Sequence, residues 1–94
     1  MASTLPRVLL LNQRDNVAVA IRALRGGEQV EAGGRLLAVG EDIPLGHKVA
    51  VAGIAAGEDV VKYGEVIGRT TSAIAPGRHV HVHNVVSARL PGRS

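Results

Sequence analysis

Three observations predict an all-β domain of short strands. A turn motif, aliphatic-x-x-Gly-x-x-Val, occurs four times, at Leu24–Val30, Ile43–Val49, Ile54–Val60 and Ile74–Val80. The bulk of the chain is aliphatic: 46% of its 94 residues are apolar, yet Tyr63 is its one aromatic. The apolar residues gather in short, valine-rich runs that suit a pleated surface better than a helix.

Taken in order, strands are expected at Val8 to Leu11, Val17 to Ile21, Leu36 to Val39, Val49 to Ile54 and Val80 to Val86. A helix over Asn16 to Leu24, opened by Asp15 as its cap, is the alternative for the second of these. Three β-branched residues and the closing Gly26-Gly27 favour the strand there. Each motif copy reads as a turn, because glycine supplies the positive φ that tight turns demand while the flanking aliphatics re-enter the core. The copies are too irregularly spaced for a solenoid and read as recurrent turn chemistry, a pseudo-duplicated core being one form of it.

Ninety-four residues make a single domain, with its core expected from about residue 15 to residue 89 and charged termini outside it. A core with so little bulk per side chain gains by burying surface against another chain, a partner or a second copy of itself. Eleven Lys and Arg against eight Asp and Glu give a net charge of +3 without a long basic run, and one aromatic cannot build a row of stacking platforms. Nucleic acid is therefore not an expected partner. A small anionic substrate is easier to hold, since a few cationic groups suffice for a carboxylate. The absence of cysteine removes disulfides and thiolate metal sites together and fits the cytoplasm. Val8-Leu9-Leu10-Leu11 is too short for a signal peptide or a membrane span.

The densest chemistry lies in His79-Val80-His81-Val82-His83-Asn84. On a strand the three histidines share one face and the two valines the other. The outer imidazoles of an extended strand stand about 13 Å apart, so one metal cannot take all three. An adjacent pair can share a metal if the rings converge and further ligands arrive from elsewhere, with His47 the obvious candidate. The plainer alternative is an amphipathic strand that shows polar side chains to water.

Gly46-His47-Lys48-Val49-Ala50, Lys62-Tyr63-Gly64-Glu65-Val66-Ile67-Gly68 and Val80-His81-Val82-His83-Asn84, in that order and preceded by Asp15-Asn16-Val17-Ala18-Val19-Ala20, resemble the SAF domain of the altronate and galactarate dehydratase family. The resemblance implies a β-clip fold. It also implies a part in eliminating water from acidic sugars with the help of a divalent metal, Fe²⁺ first and Mn²⁺ as the alternative. A related sulfo-lyase expels sulfite instead and divides its domains between a small and a large subunit, and this chain is similar to the small one. On that resemblance the partners are a large catalytic subunit and a small sugar-acid or hydroxy-acid substrate, and the chain alone is expected to be inactive.

Elimination beside a carboxylate requires a base for the α-proton, stabilisation of an enediolate and assistance to the leaving group. His47, His83 and Tyr63 are the candidates for proton transfer and donation, Lys48 and Asn84 for substrate binding, and His81 with His83 for the metal. Each has a structural alternative: Tyr63 as a half-buried packing residue, Lys48 as a solvated surface cation, and Asn84 as the residue that closes a turn. A non-catalytic module that binds a sugar acid or serves structure alone is the competing function, and purely structural SAF domains have no need of the histidine strand.

Overall fold

The computed structural model describes residues 7–87, so the charged C-terminal positions Arg89 and Arg93 and the N-terminal residues ahead of Arg7 lie outside the described residues. Those described form nine strands and no helix. The strands are β1 (Val8–Leu9), β2 (Val17–Ala20), β3 (Gln29–Ala32), β4 (Arg35–Ala38), β5 (Lys48–Ala50), β6 (Asp59–Lys62), β7 (Glu65–Thr70), β8 (His79–Val80) and β9 (Val85–Ser87). An antiparallel sheet of order β1-β2-β5-β8 forms the centre, flanked by the β3–β4 hairpin and by a second hairpin, β6–β7, which β9 extends. Asn16 to Leu24 contains strand and not helix, as the β-branched residues indicate. No helix of the described residues is long and apolar enough to cross a membrane.

Strands β2 and β5 sit between two small cores. Ala18 and Val49 join Leu24, Val30, Leu37 and Ile43 on one side, while Val17 and Ala50 join Ile54, Val60, Ile74 and Val80 on the other. The period of two sends alternate side chains to opposite faces, which explains why Val17-Ala18-Val19-Ala20 is apolar throughout.

The turn motif builds both cores in the same way. Its first aliphatics pair across the chain, Leu24 with Ile43 and Ile54 with Ile74, through reciprocal backbone hydrogen bonds of 2.8–2.9 Å. Its final valines, Val30, Val49, Val60 and Val80, are all buried. Matching side-chain bonds close the first turn of each half, Glu28 Oε1 accepting from Arg25 N and Glu58 Oε1 from Ala55 N. The fold is thus internally duplicated.

Three strands escaped the reading from sequence. Strand β3 alternates polar and apolar residues within Gln29-Val30-Glu31-Ala32, and its polar half obscured it. Strands β6 and β7 are joined by Tyr63 and Gly64, at φ 55° and 80°, matching Gly33 and Gly34 at 60° and 84° in the other hairpin. Two consecutive positive φ values give the two-residue turn whose twist suits a hairpin. Gly33-Gly34 advertises such a turn, whereas tyrosine in the left-handed region does not. The hairpin is held from outside: Asn16 donates through Nδ2 to Asp59 O and accepts at Oδ1 from Val61 N, and Asp15 Oδ1 accepts from Gly64 N.

Several expected strands are also shorter than the apolar runs suggested: β1 ends at Leu9 and β2 at Ala20, short of Leu11 and Ile21. Strand β5 stops at Ala50, after which the chain bends so that Ile54 can meet Ile74. The run Val80 to Val86 is broken between β8 and β9 for a reason that belongs to the site below.

Gly27, Gly46, Gly57 and Gly77 all carry positive φ, from 80° to 98°. At Gly77 space is short as well: a Cβ there would overlap Ala38 O, while at Gly57 it would meet nothing within 4 Å. Gly57→Ala should cost roughly 1 kcal/mol through backbone strain alone, and Gly77→Ala at least about 1 kcal/mol more because the backbone around Ala38 must move. Urea unfolding of the two variants measures the difference; equal costs would contradict the crowding at Gly77.

Candidate metal centre

Sheet register brings the histidines together. His79 opens β8, which runs antiparallel to β5 with Val49 opposite His79 and Lys48 opposite Val80. One further step along the same register sets His47 across from His81, and their rings stack with centroids 4.0 Å apart and planes 15° from parallel. His79 lies two residues from His81 on the same face, and its Nε2 is 2.8 Å from His47 Nδ1, a hydrogen bond for which one of the two nitrogens carries the proton. One ligand atom from each of His47, His79 and His81 falls within 4.8 Å of the others.

The chain does not stay extended through this stretch. After Val80 it turns, because Asn84 folds its side chain back: Oδ1 accepts from His81 N, Nδ2 donates to His79 O, and Asn84 N donates to His81 O. The expectation of one strand carrying His79, His81 and His83 is therefore corrected, and Val82, expected to bury, is 81% exposed. The turn also changes the spacing. His83 stays beside His79, with centroids 5.1 Å apart and planes 39° apart, but stands outside the group of three.

The structure places the remaining candidates as follows. Lys48 is half-buried on β5 and close enough to depress the pKa of His81. Asn84 is buried with both ends of its amide bonded to backbone. Tyr63 stands at the tip of the β6–β7 hairpin, under the Lys62 ammonium at 4.9 Å, and among the described residues has no ring contact with the imidazoles. Two residues that sequence reasoning missed join the site. Glu41 Oε2 accepts from His79 N at 2.9 Å and lies 3.6 Å from Arg78 Nε, and Arg78 Nη1 donates to Gly40 O. Nothing in Gly40-Glu41-Asp42 signals this, since long-range contacts, among them the backbone bond from Gly40 N to Gly77 O, carry that loop to the histidines.

The electrostatics favour neutral rings. Burial first, then repulsion from His47, His83 and His81, lowers the pKa of His79 against the opposing pull of Glu41. Burial, then His47, Lys48 and His83, lowers that of His81. Burial and the Lys62 charge lower that of Lys48. Neutral imidazoles offer lone pairs, which is what a metal requires of them.

The three rings fit a divalent cation. Ligand nitrogens at 2.0–2.1 Å around a tetrahedral ion stand about 3.3 Å apart, so the contact between His47 and His79 must open slightly and the group as a whole contract. His81 Nδ1 is buried and has no hydrogen-bond partner among the described residues, an orphan that a metal ion would satisfy. Imidazole donors suit iron and zinc rather than calcium or magnesium.

Residues 6–88 match the model of the altronate/galactarate dehydratase SAF domain. The altronate dehydratase of Bacillus subtilis (strain 168) is 40% identical over 74 residues, which are 79% of this chain and 15% of that protein. The altronate dehydratase of Escherichia coli (strain K12) is 44% identical over 70 residues, 74% of this chain and 14% of its own length. The (2R)-sulfolactate sulfo-lyase subunit alpha of Chromohalobacter salexigens is 49% identical over 51 residues, 54% of each chain. This chain thus spans a small part of the altronate dehydratases and about half of the sulfo-lyase subunit.

Because folding lowers the pKa of His79 and His81, the native state binds fewer protons than the unfolded chain near neutrality. Their contribution to stability is complete above the ordinary imidazole value of 6.5 and is lost as pH falls through the lowered native values. The melting temperature of the metal-free chain should fall between about pH 7.5 and pH 5, and more steeply than that of a His79→Gln, His81→Gln double variant. Parallel profiles of the two proteins would contradict the lowered values.

Proposed function

The chain belongs to the altronate/galactarate dehydratase SAF-domain family, and from that membership and its histidine cluster we propose that it is the SAF module of a sugar-acid lyase. In this reading it works in the cytoplasm and shares an active site with a larger catalytic chain. The reaction is the elimination of water, or of sulfite, from a hydroxy acid. The observation that carries the proposal is the division of the four histidines into three that converge and one, His83, that stands beside them with an exposed ring.

His47, His79 and His81 are the ligands for a divalent metal, Fe²⁺ or Mn²⁺, in place of the pair His81 and His83. A bound cation supplies Lewis-acid stabilisation of the substrate's oxygens. His83, left out of that set, is free to move a proton: a base takes the α-proton, the bond to the leaving group breaks, and an acid returns a proton to departing hydroxide. Lys48 adds a cation next to His81, where negative charge develops on an enediolate. Asn84 acts on position alone, since its amide holds the backbone that carries His79 and His81. Tyr63 belongs to the hairpin turn.

The site also calls for a cover. Val82, between two of the histidines, and Leu45, two residues ahead of His47, are 81% and 64% exposed, apolar side chains in water at the edge of a polar cluster. Elimination needs acid, base and charge stabilisation held together away from bulk water, more than this small domain encloses. A larger chain seated on this edge would supply both the cover and the missing groups.

The chain alone should show no dehydratase or sulfo-lyase activity and should gain it when combined with the large chain. In that complex His83→Ala should lower kcat by about 10²-fold or more, while substitutions of Lys62 or Glu65 change it little. Full activity from a His47→Ala, His83→Ala complex would reduce the chain to a structural or binding module.

A further inference from the structure

Beside the histidines a cleft of about 360 Å³ is lined by Glu41, Arg78, His79, His83 and Asn84. That volume lies at the small end of ligand pockets and suits a metabolite of a few carbons. Its polar groups converge from three parts of the chain: the loop after β4, the turn before β8, and the turn closed by Asn84. Two of the four imidazoles open into it.

Arg78 is the fixed cation of this cleft. Its Nη1 donates to Gly40 O at 2.9 Å and its Nε lies 3.6 Å from Glu41 Oε2, which itself accepts from His79 N at 2.9 Å. The two anchors orient the guanidinium and occupy only part of its donor fork, and the fork is the group that binds a carboxylate through two parallel hydrogen bonds. The Arg78 side chain is half exposed, so these donors remain accessible. The same backbone that presents Arg78 presents His79, the next residue, to the group of three.

We infer that Arg78 is the carboxylate-binding residue of the site, holding a small α-hydroxy acid in the Glu41–Arg78–His83 cleft with its hydroxyl end toward His79. The inference rests on the proposed function for the identity of the reaction, but not for the binding. Glu41 is the positioning residue in this arrangement: it ties the guanidinium to the backbone of His79, so that the carboxylate anchor and the imidazoles keep a fixed separation. Lys48 lies on β5 and is not among the residues that line this cleft. The charge of an enediolate develops on the carboxylate oxygens themselves, so the cation that binds the carboxylate also stabilises that charge.

Glycolate, the smallest α-hydroxy acid, is the probe, with ethylene glycol as the control that lacks a carboxylate. The readout is the NMR shift of the His83 ring and the Arg78 Nε–H, first on the metal-free chain and then with one equivalent of Zn²⁺. Glycolate should shift both signals saturably and ethylene glycol neither. Arg78→Gln should weaken glycolate binding about tenfold or more, as loss of a charged hydrogen-bond pair does, while leaving Zn²⁺ affinity within about twofold. Glu41→Gln should keep glycolate binding but weaken it less than Arg78→Gln. Failure of Zn²⁺ to bind would undo the metal reading and leave the Arg78 comparison on the metal-free chain standing as its own test. Equal glycolate affinity for wild type and Arg78→Gln, or shifts as large with ethylene glycol, would overturn the inference.

Discussion

The pairing of β5 with β8 is the constraint on which the site depends. Lys48 opposite Val80 and Val49 opposite His79 fix where His47 and His81 fall, one step beyond the last pair. A slip of one residue would turn His79, with His81 beyond it, to the other face, toward Ile54 and Ile74. The turn before β8 pins that register, and the turn before β5 seats β5 against β2. Gly46 N donates to Ala20 O and Gly77 N to Ala50 O, each at 2.7 Å, and the positive φ of both glycines makes these bonds possible. The crowded approach of Gly77 to Ala38 then carries Glu41 to the same place. Fold and site are joined at one turn.

Duplication explains how so small an aliphatic core holds that register. Each half closes its hairpin over a pair of buried aliphatics, and the shared strands β2 and β5 are covered on both faces. No single side chain is large, so stability rests on complete burial of many small ones. Most polar groups that enter this interior are absorbed by backbone bonds, although Asp15, bonded through Oδ1 to Gly64 N, keeps its buried Oδ2 without a partner among the described residues. Asn16 and Asn84 serve backbone alone, and Thr70 Oγ1 donates to Ala55 O while accepting from Glu58 N. The half-buried imidazoles depart from this pattern as well, and burial lowers the pKa of His79 and of His81.

Much of the fold was legible because its signals are local. The motif placed four turns at glycines whose φ is positive, and the valine-rich runs located the central strands. The β6–β7 hairpin was hidden because Tyr63 occupies a position that propensity assigns to glycine or asparagine. The convergence of His47 with an adjacent pair from the later segment was also legible, through the alternation of histidine and valine. Which pair was not, because the choice depends on Asn84. An asparagine side chain that bridges His79 O and His81 N ends the strand between them, and sequence shows the asparagine but not the direction it folds. Glu41 and Arg78 were illegible for a simpler reason: their meeting depends on a contact between Gly40 and Gly77, far apart in the chain.

The central claim is that three histidines, and not the fourth, form a metal site. X-ray absorption at the zinc edge of the Zn²⁺-loaded chain counts the imidazole ligands directly. The account predicts three imidazoles at about 2.0 Å, unchanged by His83→Ala and reduced by His79→Ala. A ligand count that falls with His83→Ala and stays constant with His79→Ala would contradict it.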